Sequence, residues 1–595
     1  MTTKPDDADS TPTSDLTPEV NLPGTSDLRK VVSTAAHHFA TAGPSLRRDA
    51  AAGLTCAIAN VPDGMANGLL VGVNPVYGLY AAMAGPLLGG ILSSTSLMVI
   101  TTTAAASLTT TQALGQLTDD VRAASLFAMV VLVGALQVLF GLLHAGRLVR
   151  FVSLSVMTGL LTGVSVLLVL SQFSTITSIP AEGANKVAQA LGVVRNIAQV
   201  SLLSVAMAVL TLALAIILPR TRLEGFAALA AVVVPSVVVA LLGLDDVPLV
   251  RSRGEITGLP SPTWPAFSVL SFDVITGALA VAVVILVQGA GVSQNVPNPD
   301  GSRSSASRDF IAEGFANVAA GFFRGLPVGG SLSATALNVV SGARTRWAAI
   351  FAGVWMAIIV IVIPGLVGYV AMPSLGAMLI LAGARSVKPR EIGSVLHAGW
   401  PSILACVTTF VLTLFLPIQV AVGVGVVLSA LLYVNESSTD VSVVELVERP
   451  GGRVEERRPS KQLPSQQVTV LDIYGPLFFA GARTLERLLP TPRGSRSPVV
   501  VLRLRGRTHF GATFEEVLTR YAEQLREVGG KLYLTGLTRE VHRQLDHSNK
   551  LHLSGPVEVY KATAILGEST RAAHADAQAW LVEYGRGDRT PRRSP

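Results

Sequence analysis

The chain has 595 residues, of which 50% are hydrophobic and only 14% charged, with a mean hydropathy of +0.52. Ordinary soluble domains carry charge on about a quarter of their residues, so a wholly soluble protein is excluded. The net charge of +7 is spread over short loops and the C-terminal part, which argues against a nucleic-acid partner.

Residues 1–45 begin rich in Thr, Ser, Pro and Asp and lack the basic-then-apolar pattern of a signal peptide, so they read as a disordered or amphipathic cytoplasmic segment. A transmembrane domain is expected over 46–435, with apolar segments near 50–70, 76–93, 99–113, 124–143, 152–173, 200–218, 226–243, 273–292, 309–323, 331–342, 347–364, 367–384, 399–416 and 418–434. A linker (436–465), an α/β domain (466–583) and a basic tail (584–595) follow. If Arg29, Lys30, Arg47 and Arg48 are cytoplasmic, the loops with Arg147/Arg150, Arg220/Arg222, Arg344/Arg346 and Arg385/Lys388/Arg390 share that side. Asp119/Asp120, Glu182 and Asp245/Asp246 fall opposite, and the even count returns the C-terminal domain to the cytoplasm. Cys56 and Cys406 lie in apolar spans without paired spacing, and no HExxH or CxxC occurs, so no disulfide, metal or cofactor is expected.

Two segments are short and polar: T-T-T-A-A-A-S-L-T-T-T from Thr101 to Thr111, and the stretch from Gly325 to Arg346. They are the third span of each set of seven, and interrupted segments at matched positions point to a transporter's midplane site. Half-helices starting inside the membrane offer free N–H groups and positive dipole ends to an anion. Thr101, Thr102, Thr103, Ser331 and Ser333 add hydroxyls. The competing reading is close helix packing through small residues.

Asp63, in N-V-P-D-G-M-A-N-G-L-L, lies well inside the first span, where a carboxylate by default marks a pathway or proton relay. Its structural alternative is a helix cap after Pro62. The corresponding place in the second half falls near Gln288. Glu313 and Arg324 flank the second broken segment, and span-end, solvated roles suit them as well as functional ones.

The stretch V-P-D-G-M-A-N-G-L-L-V-G-V-N-P-V-Y-G-L-Y resembles the first signature of SulP-type anion permeases, and G-F-F-R-G-L-P-V-G-G-S-L-S-A-T-A-L-N-V-V-S-G-A-R-T-R resembles the second. The resemblance implies fourteen spans in a seven-plus-seven inverted repeat, with a uracil-permease-like core and gate, and a cytoplasmic STAS domain. It also implies a dimer in the lipid of the cell membrane, both termini cytoplasmic, carrying sulfate, bicarbonate, chloride or small dicarboxylates with protons or sodium, or by exchange. Carried over by residue, the anion pocket takes Asp63, Asn67, the start of the third span (Thr101, Thr102, Thr103, Ala104) and the start of the tenth (Ser331, Leu332, Ser333). Many members have Gln in the first span and an acid in the eighth; Asp63 and Gln288 reverse this. The basic residue that often follows the second Ser is Ala334 here. An ionised Asp63 with no arginine would repel an anion, so either Asp63 is protonated when the anion binds, a rule for symport, or Arg324 supplies charge.

In the C-terminal domain V-T-V-L-D-I-Y, P-V-V-V-L-R-L and K-L-Y-L-T-G-L read as strands, with helices around Ala482–Leu489, Thr513–Val528 and Glu540–Asp546. L-F-F-A-G-A-R-T-L-E-R-L resembles transporter-linked STAS domains. Gly511 and Ala512 stand where phosphorylatable members have Asp-Ser, leaving Thr513 as a weaker acceptor. The sequence thus predicts a secondary active anion transporter, sulfate first. A passive channel of the same fold competes. A membrane enzyme would need a cluster of acids, bases or ligands that is missing, and a nucleobase permease would need an acid in the eighth span.

Overall fold

The computed structural model describes residues 45–115, 117–144, 152–180, 182–183, 185–221, 226–253, 258–362, 364–507, 510–548 and 557–585. The N-terminal tail, Arg147, Arg150, Arg222 and residues 586–595 lie outside the described residues. The chain divides between Val427 and Leu428 into two compact units.

The first unit opens with α1 (Leu46–Val71), α2 (Val76–Leu92), the short strand β1 (Ile100–Thr102) and α3 (Ala104–Leu114). Next come α4 (Asp119–Leu142), α5 (Leu154–Ser171), α6 (Lys186–Arg195), α7 (Leu202–Ile217) and α8 (Ala227–Leu242). A second series repeats the pattern: α9 (Phe272–Asn295), α10 (Ala306–Phe322), the strand β2 (Val328–Gly330), α11 (Leu332–Val340), α12 (Trp347–Val362), α13 (Met372–Ser386), α14 (Pro389–His397), α15 (Trp400–Phe415) and α16 (Ile418–Thr439), within which the boundary falls. Each apolar segment expected from the sequence overlaps one of these helices or strand–helix units. Among the described residues five helical stretches are long and apolar enough to cross a membrane, and four shorter apolar helices accompany them.

The two breaks have local causes. Three β-branched threonines, Thr101–Thr103, favour extended backbone, and Ala104–Ala106 then supplies a strong helix former. In the second series Pro327 and the pair Gly329–Gly330 interrupt the helix. The strands pair antiparallel, Ile100 with Gly330, Thr101 with Gly329 and Thr102 with Val328. Their free backbone groups therefore satisfy one another in the middle of the bundle.

Around this crossing one apolar cluster joins Met98 and Ile100 to Met129, Val281, Ile285, Ala316 and Val328. Helices α4 and α10 cross at glycines. A Cβ on Gly134 would lie 2.5 Å from the Gly314 carbonyl oxygen, and one on Gly314 would lie 2.7 Å from that of Gly134. Close approach of this kind is how membrane helices gain contact without a hydrophobic drive. A second cluster ties Val61, Met65 and Leu79 to Leu160, Leu167, Leu375, Ile418 and Val422. Helix α3 lies between the two, with Ala105 and Leu108 in this cluster and Ala106 and Leu114 in the other.

The second unit is a six-stranded sheet in the order β4-β3-β5-β6-β7-β8. Its elements are β3 (Ser442–Arg449), β4 (Arg453–Arg457), β5 (Val468–Tyr474), α17 (Phe479–Leu488), β6 (Val499–Arg503), α18 (Ala512–Glu527), β7 (Lys531–Leu537), α19 (Arg539–Ser548), β8 (Val557–Lys561) and α20 (Glu568–Gly585). Strands β5 to β8 run parallel, and β3 pairs antiparallel with both β4 and β5. Alternate residues of β6 feed opposite faces: Val500 and Leu502 pack with Phe514 and Leu518, while Val499 and Val501 pack with Ala573 and Ala577. The predicted linker is corrected here. Residues 436–465 hold the end of α16 and the β3–β4 hairpin, which extends the sheet instead of separating domains. Strand β8 and helix α20 add a layer that the strand–helix reading omits.

Candidate functional site

The crossing of β1 and β2 aims two helix starts into the bundle from opposite ends of a three-residue ladder, roughly 10 Å of strand. Thr103 is the N-cap of α3, and its side chain accepts the Ala106 N–H. Ser331 is the N-cap of α11, and its side chain accepts the Ala334 N–H. One donor at each start is thereby used. The N–H groups of Ala104, Ala105, Leu332 and Ser333 precede the first intrahelical bond and have no acceptor within their own helix.

Hydroxyls and amides surround these tips. Thr103 Oγ1 donates to Gln288 Oε1 at 2.9 Å, so the second-half position expected to match Asp63 meets the first tip. Asn67 Nδ2 donates to the Asp63 carbonyl at 2.9 Å and reaches Thr102 Oγ1 at 3.4 Å. Ser331 and Ser333 share a hydroxyl contact of 3.2 Å. Asn67 Oδ1 and Thr101 Oγ1 are buried and have no hydrogen-bond partner among the described residues, two polar atoms left open beside the ladder. Thr101, Thr102, Thr103 and Ser331 are buried, whereas Leu332 and Ser333 are exposed.

Asp63 does not cap a helix. Helix α1 runs unbroken through Pro62, so the capping alternative is overturned. Asp63 is half-buried between buried neighbours and lies one turn from Asn67, on the side that reaches β1. The structure thus links Asn67 with Thr102, Thr103 with Gln288, and Ser331 with Ser333. Arg324 is engaged elsewhere, its Nε donating to Thr263 Oγ1 at 2.9 Å, and no observed contact brings it to either tip.

Glu313 departs from the span-end expectation. It is fully buried two turns into α10, and its Oε1 accepts the Gly330 N–H at 2.8 Å. Asn317, one turn on, holds both sides of Val328: its Oδ1 accepts the Val328 N–H and its Nδ2 donates to the Val328 carbonyl and to Gln137 Oε1. Asp309, one turn before, accepts the N–H and hydroxyl groups of both Ser94 and Thr95. The spacing 309, 313, 317 places all three on one helical face, and that spacing is the signal that finds them. On α11, Thr335 and Asn338 form a matching stripe, the first accepting the Val99 N–H and the second donating to the Leu97 carbonyl.

No group of three or more candidate metal ligands occurs among the described residues. The arrangement offers an anion neutral donors: helix N–H groups, hydroxyls and side-chain amides, without a cationic side chain in either tip sequence.

A family model described as the sulfate permease family matches residues 46–409, and one for the STAS domain matches residues 463–563. Sulfate transporter 4.1, chloroplastic, of Arabidopsis thaliana is 24% identical, covering 85% of this chain and 77% of its own. The bicarbonate transporter BicA of Synechocystis sp. is 23% identical, covering 84% of this chain and 90% of its own. Among solved structures, the murine Solute Carrier 26 family member A9 anion transporter in its inward-facing state superposes with a TM-score of 0.78 at 17% identity, covering 95% of this chain and 97% of that one.

Proposed function

Since the chain belongs to the sulfate permease family, whose members are membrane-embedded anion transporters and not enzymes, we propose that it is a secondary active transporter with sulfate as its favoured substrate. The anion is held between the tips of α3 and α11, and an elevator-like movement of the bundle around the crossing carries it across the membrane. A homodimer in the plasma membrane with both termini cytoplasmic completes this reading. The observation that carries it is the antiparallel crossing, which turns two capped helix starts into one bundle's interior.

Charge arithmetic supports coupling to protons. Each helix start is equivalent to roughly half a positive charge, so two tips supply about one together. Sulfate brings two negative charges, and an ionised Asp63 would add a third. A proton on Asp63 halves that excess, from about two negative charges to about one, so entry of the anion with a proton follows as the coupling rule. Bicarbonate, with one charge, is balanced by the tips alone. The absence of a cationic side chain in Thr103–Ser107 and Ser331–Thr335 favours it as the second reading, ahead of a C4-dicarboxylate or a passive channel.

Uptake of labelled sulfate, bicarbonate and succinate into proteoliposomes, with and without a pH or sodium gradient, tests this. Sulfate accumulation above equilibrium under an inward proton gradient is expected. In Asp63→Asn the anion still exchanges but the gradient drives much less accumulation. Accumulation driven by sodium, or a gradient response unchanged in Asp63→Asn, refutes the coupling rule, and equilibration alone makes the protein a channel.

A further inference from the structure

We propose that Glu313 binds an exchangeable proton and, through the Gly330 amide, sets the anion affinity of the α11 tip. This rests on the anion-transport reading above. Glu313 makes no contact with an anion in this scheme; it is a positioning residue that acts through β2.

Three observations carry it. Glu313 Oε1 accepts the N–H of Gly330, and Gly330 immediately precedes Ser331, the cap of α11. Glu313 Oε2 is buried without a partner among the described residues, a free place for a proton. The carboxyl group also fills the space where Gly289 lacks a side chain, since a Cβ on Gly289 would lie 2.3 Å from Oε1. Glycine there leaves room for the carboxyl group directly behind the tip.

Among the described residues no cation meets Glu313. Helix α10 packs against α2, α4, α9 and β2. The groups met from these elements are neutral: the Gly330 amide from β2, the Gly289 backbone from α9 and, through Asn317, the Gln137 amide from α4. Among the described residues no hydrogen bond or ion pair runs from α2 to Glu313. The charge that acts on it is Asp309, one turn away on its own helix and already engaged by Ser94 and Thr95. An ionised carboxylate with one donor and no cation is costly at this depth. With the proton on Oε2, Oε1 stays a carbonyl oxygen and keeps its bond to Gly330. When the proton leaves, a full negative charge sits behind a helix start whose usefulness to an anion is its positive end. Anion affinity therefore falls as pH rises.

The test uses the full chain in proteoliposomes, with sulfate, bicarbonate and succinate as probes and affinity measured across pH. An Asp63→Asn background removes the carboxylate of the first span. In that background affinity falls roughly 5- to 150-fold from low to high pH, the usual range for coupling between two sites. Adding Glu313→Gln, a permanent stand-in for the neutral acid, flattens the profile at the low-pH affinity. The same substitution in the wild-type chain deletes one carboxylic-acid carbonyl band from the infrared difference spectrum of anion binding. A profile that is already flat in Asp63→Asn, one that keeps its slope in Glu313→Gln, or a spectrum with no lost band overturns the proposal. If Glu313→Gln does not assemble, Glu313→Asp decides: a displaced midpoint supports it and an unmoved one overturns it. Failure of the wild-type chain to bind any of the three anions sinks the transport reading itself, a result separate from a flat profile.

Discussion

The two units deal with negative charge by different means. Of the seven ion pairs among the described residues, six lie in the second unit, including Arg503 with Asp472 at 2.6 Å. In the first unit Asp49, Asp309 and Glu313 are buried and none is in an ion pair among the described residues. Asp49 instead accepts the N–H groups of Arg344 and Thr345 and the Thr345 hydroxyl, and Asp309 accepts the same kinds of donor from Ser94 and Thr95. Fixed backbone dipoles avoid the penalty of desolvating a second charge, which a buried salt bridge incurs. The membrane unit thus holds its own carboxylates with amide and hydroxyl donors, the chemistry proposed for its solute at the two tips.

The comparison breaks most visibly at Asp309. Asp309→Ala strands three donors, the Ser94 N–H and the N–H and hydroxyl of Thr95, where a buried unsatisfied donor costs about 1–3 kcal/mol, while the Ser94 hydroxyl keeps the Ser305 carbonyl as an acceptor. A loss of about 4 kcal/mol or more is expected, seen as a collapse of the monodisperse peak in detergent. Asp309→Asn keeps one acceptor oxygen and recovers part of it. A stable Asp309→Ala protein shows that these donors find water, and that the contrast between the units is only apparent.

Much of this was readable beforehand, and the gaps have physical reasons. The apolar segments and the two breaks follow from composition and from the Thr, Gly and Pro runs, because lipid leaves the chain little alternative. The buried place of Glu313 is not legible in the sequence, because the depth of a residue in a span cannot be read near an interrupted segment, although the spacing Asp309, Glu313, Asn317 marks a polar face. The bond from Thr103 to Gln288 joins residues far apart in the chain, and no local pattern announces it. The β3–β4 hairpin was hidden by its charge: β4 is exposed throughout and reads as a polar linker. Its turn signal was the run Pro450-Gly451-Gly452, whose two glycines take positive φ.

The next sharpest test lies in the second unit. Burial pushes the Asp472 carboxyl above the ordinary carboxylate range, against the opposing pull of Arg503. A raised acid holds its proton more tightly in the fold, so this group's contribution to stability is greatest at low pH and is lost as pH rises towards its folded value. Arg503→Met removes the cation and leaves the carboxylate buried, with an expected cost of about 3 kcal/mol at neutral pH. Acidification shrinks that cost, because the neutral acid no longer needs the partner. Hydrogen exchange at the β5 and β6 amides measures both effects. A penalty that does not change with pH shows that Arg503 acts by packing its stem, not by its charge.

The smallest effects separate the two tips from each other. Loss of an N-cap hydroxyl costs about 1 kcal/mol, and Ser331→Ala removes the acceptor for Ala334 N–H with one weak contact to Ser333. Thr103→Ala removes the matching acceptor and also leaves Gln288 Oε1 without its donor. A rise in KM of about tenfold, the equivalent of 1.4 kcal/mol, is expected for Thr103→Ala, and a smaller one for Ser331→Ala. Thr103→Ser restores the hydroxyl and should restore the KM. Equal losses at the two positions mean that Gln288 contributes nothing to holding the α3 tip, and that the tips differ only in the carboxyl group behind the second.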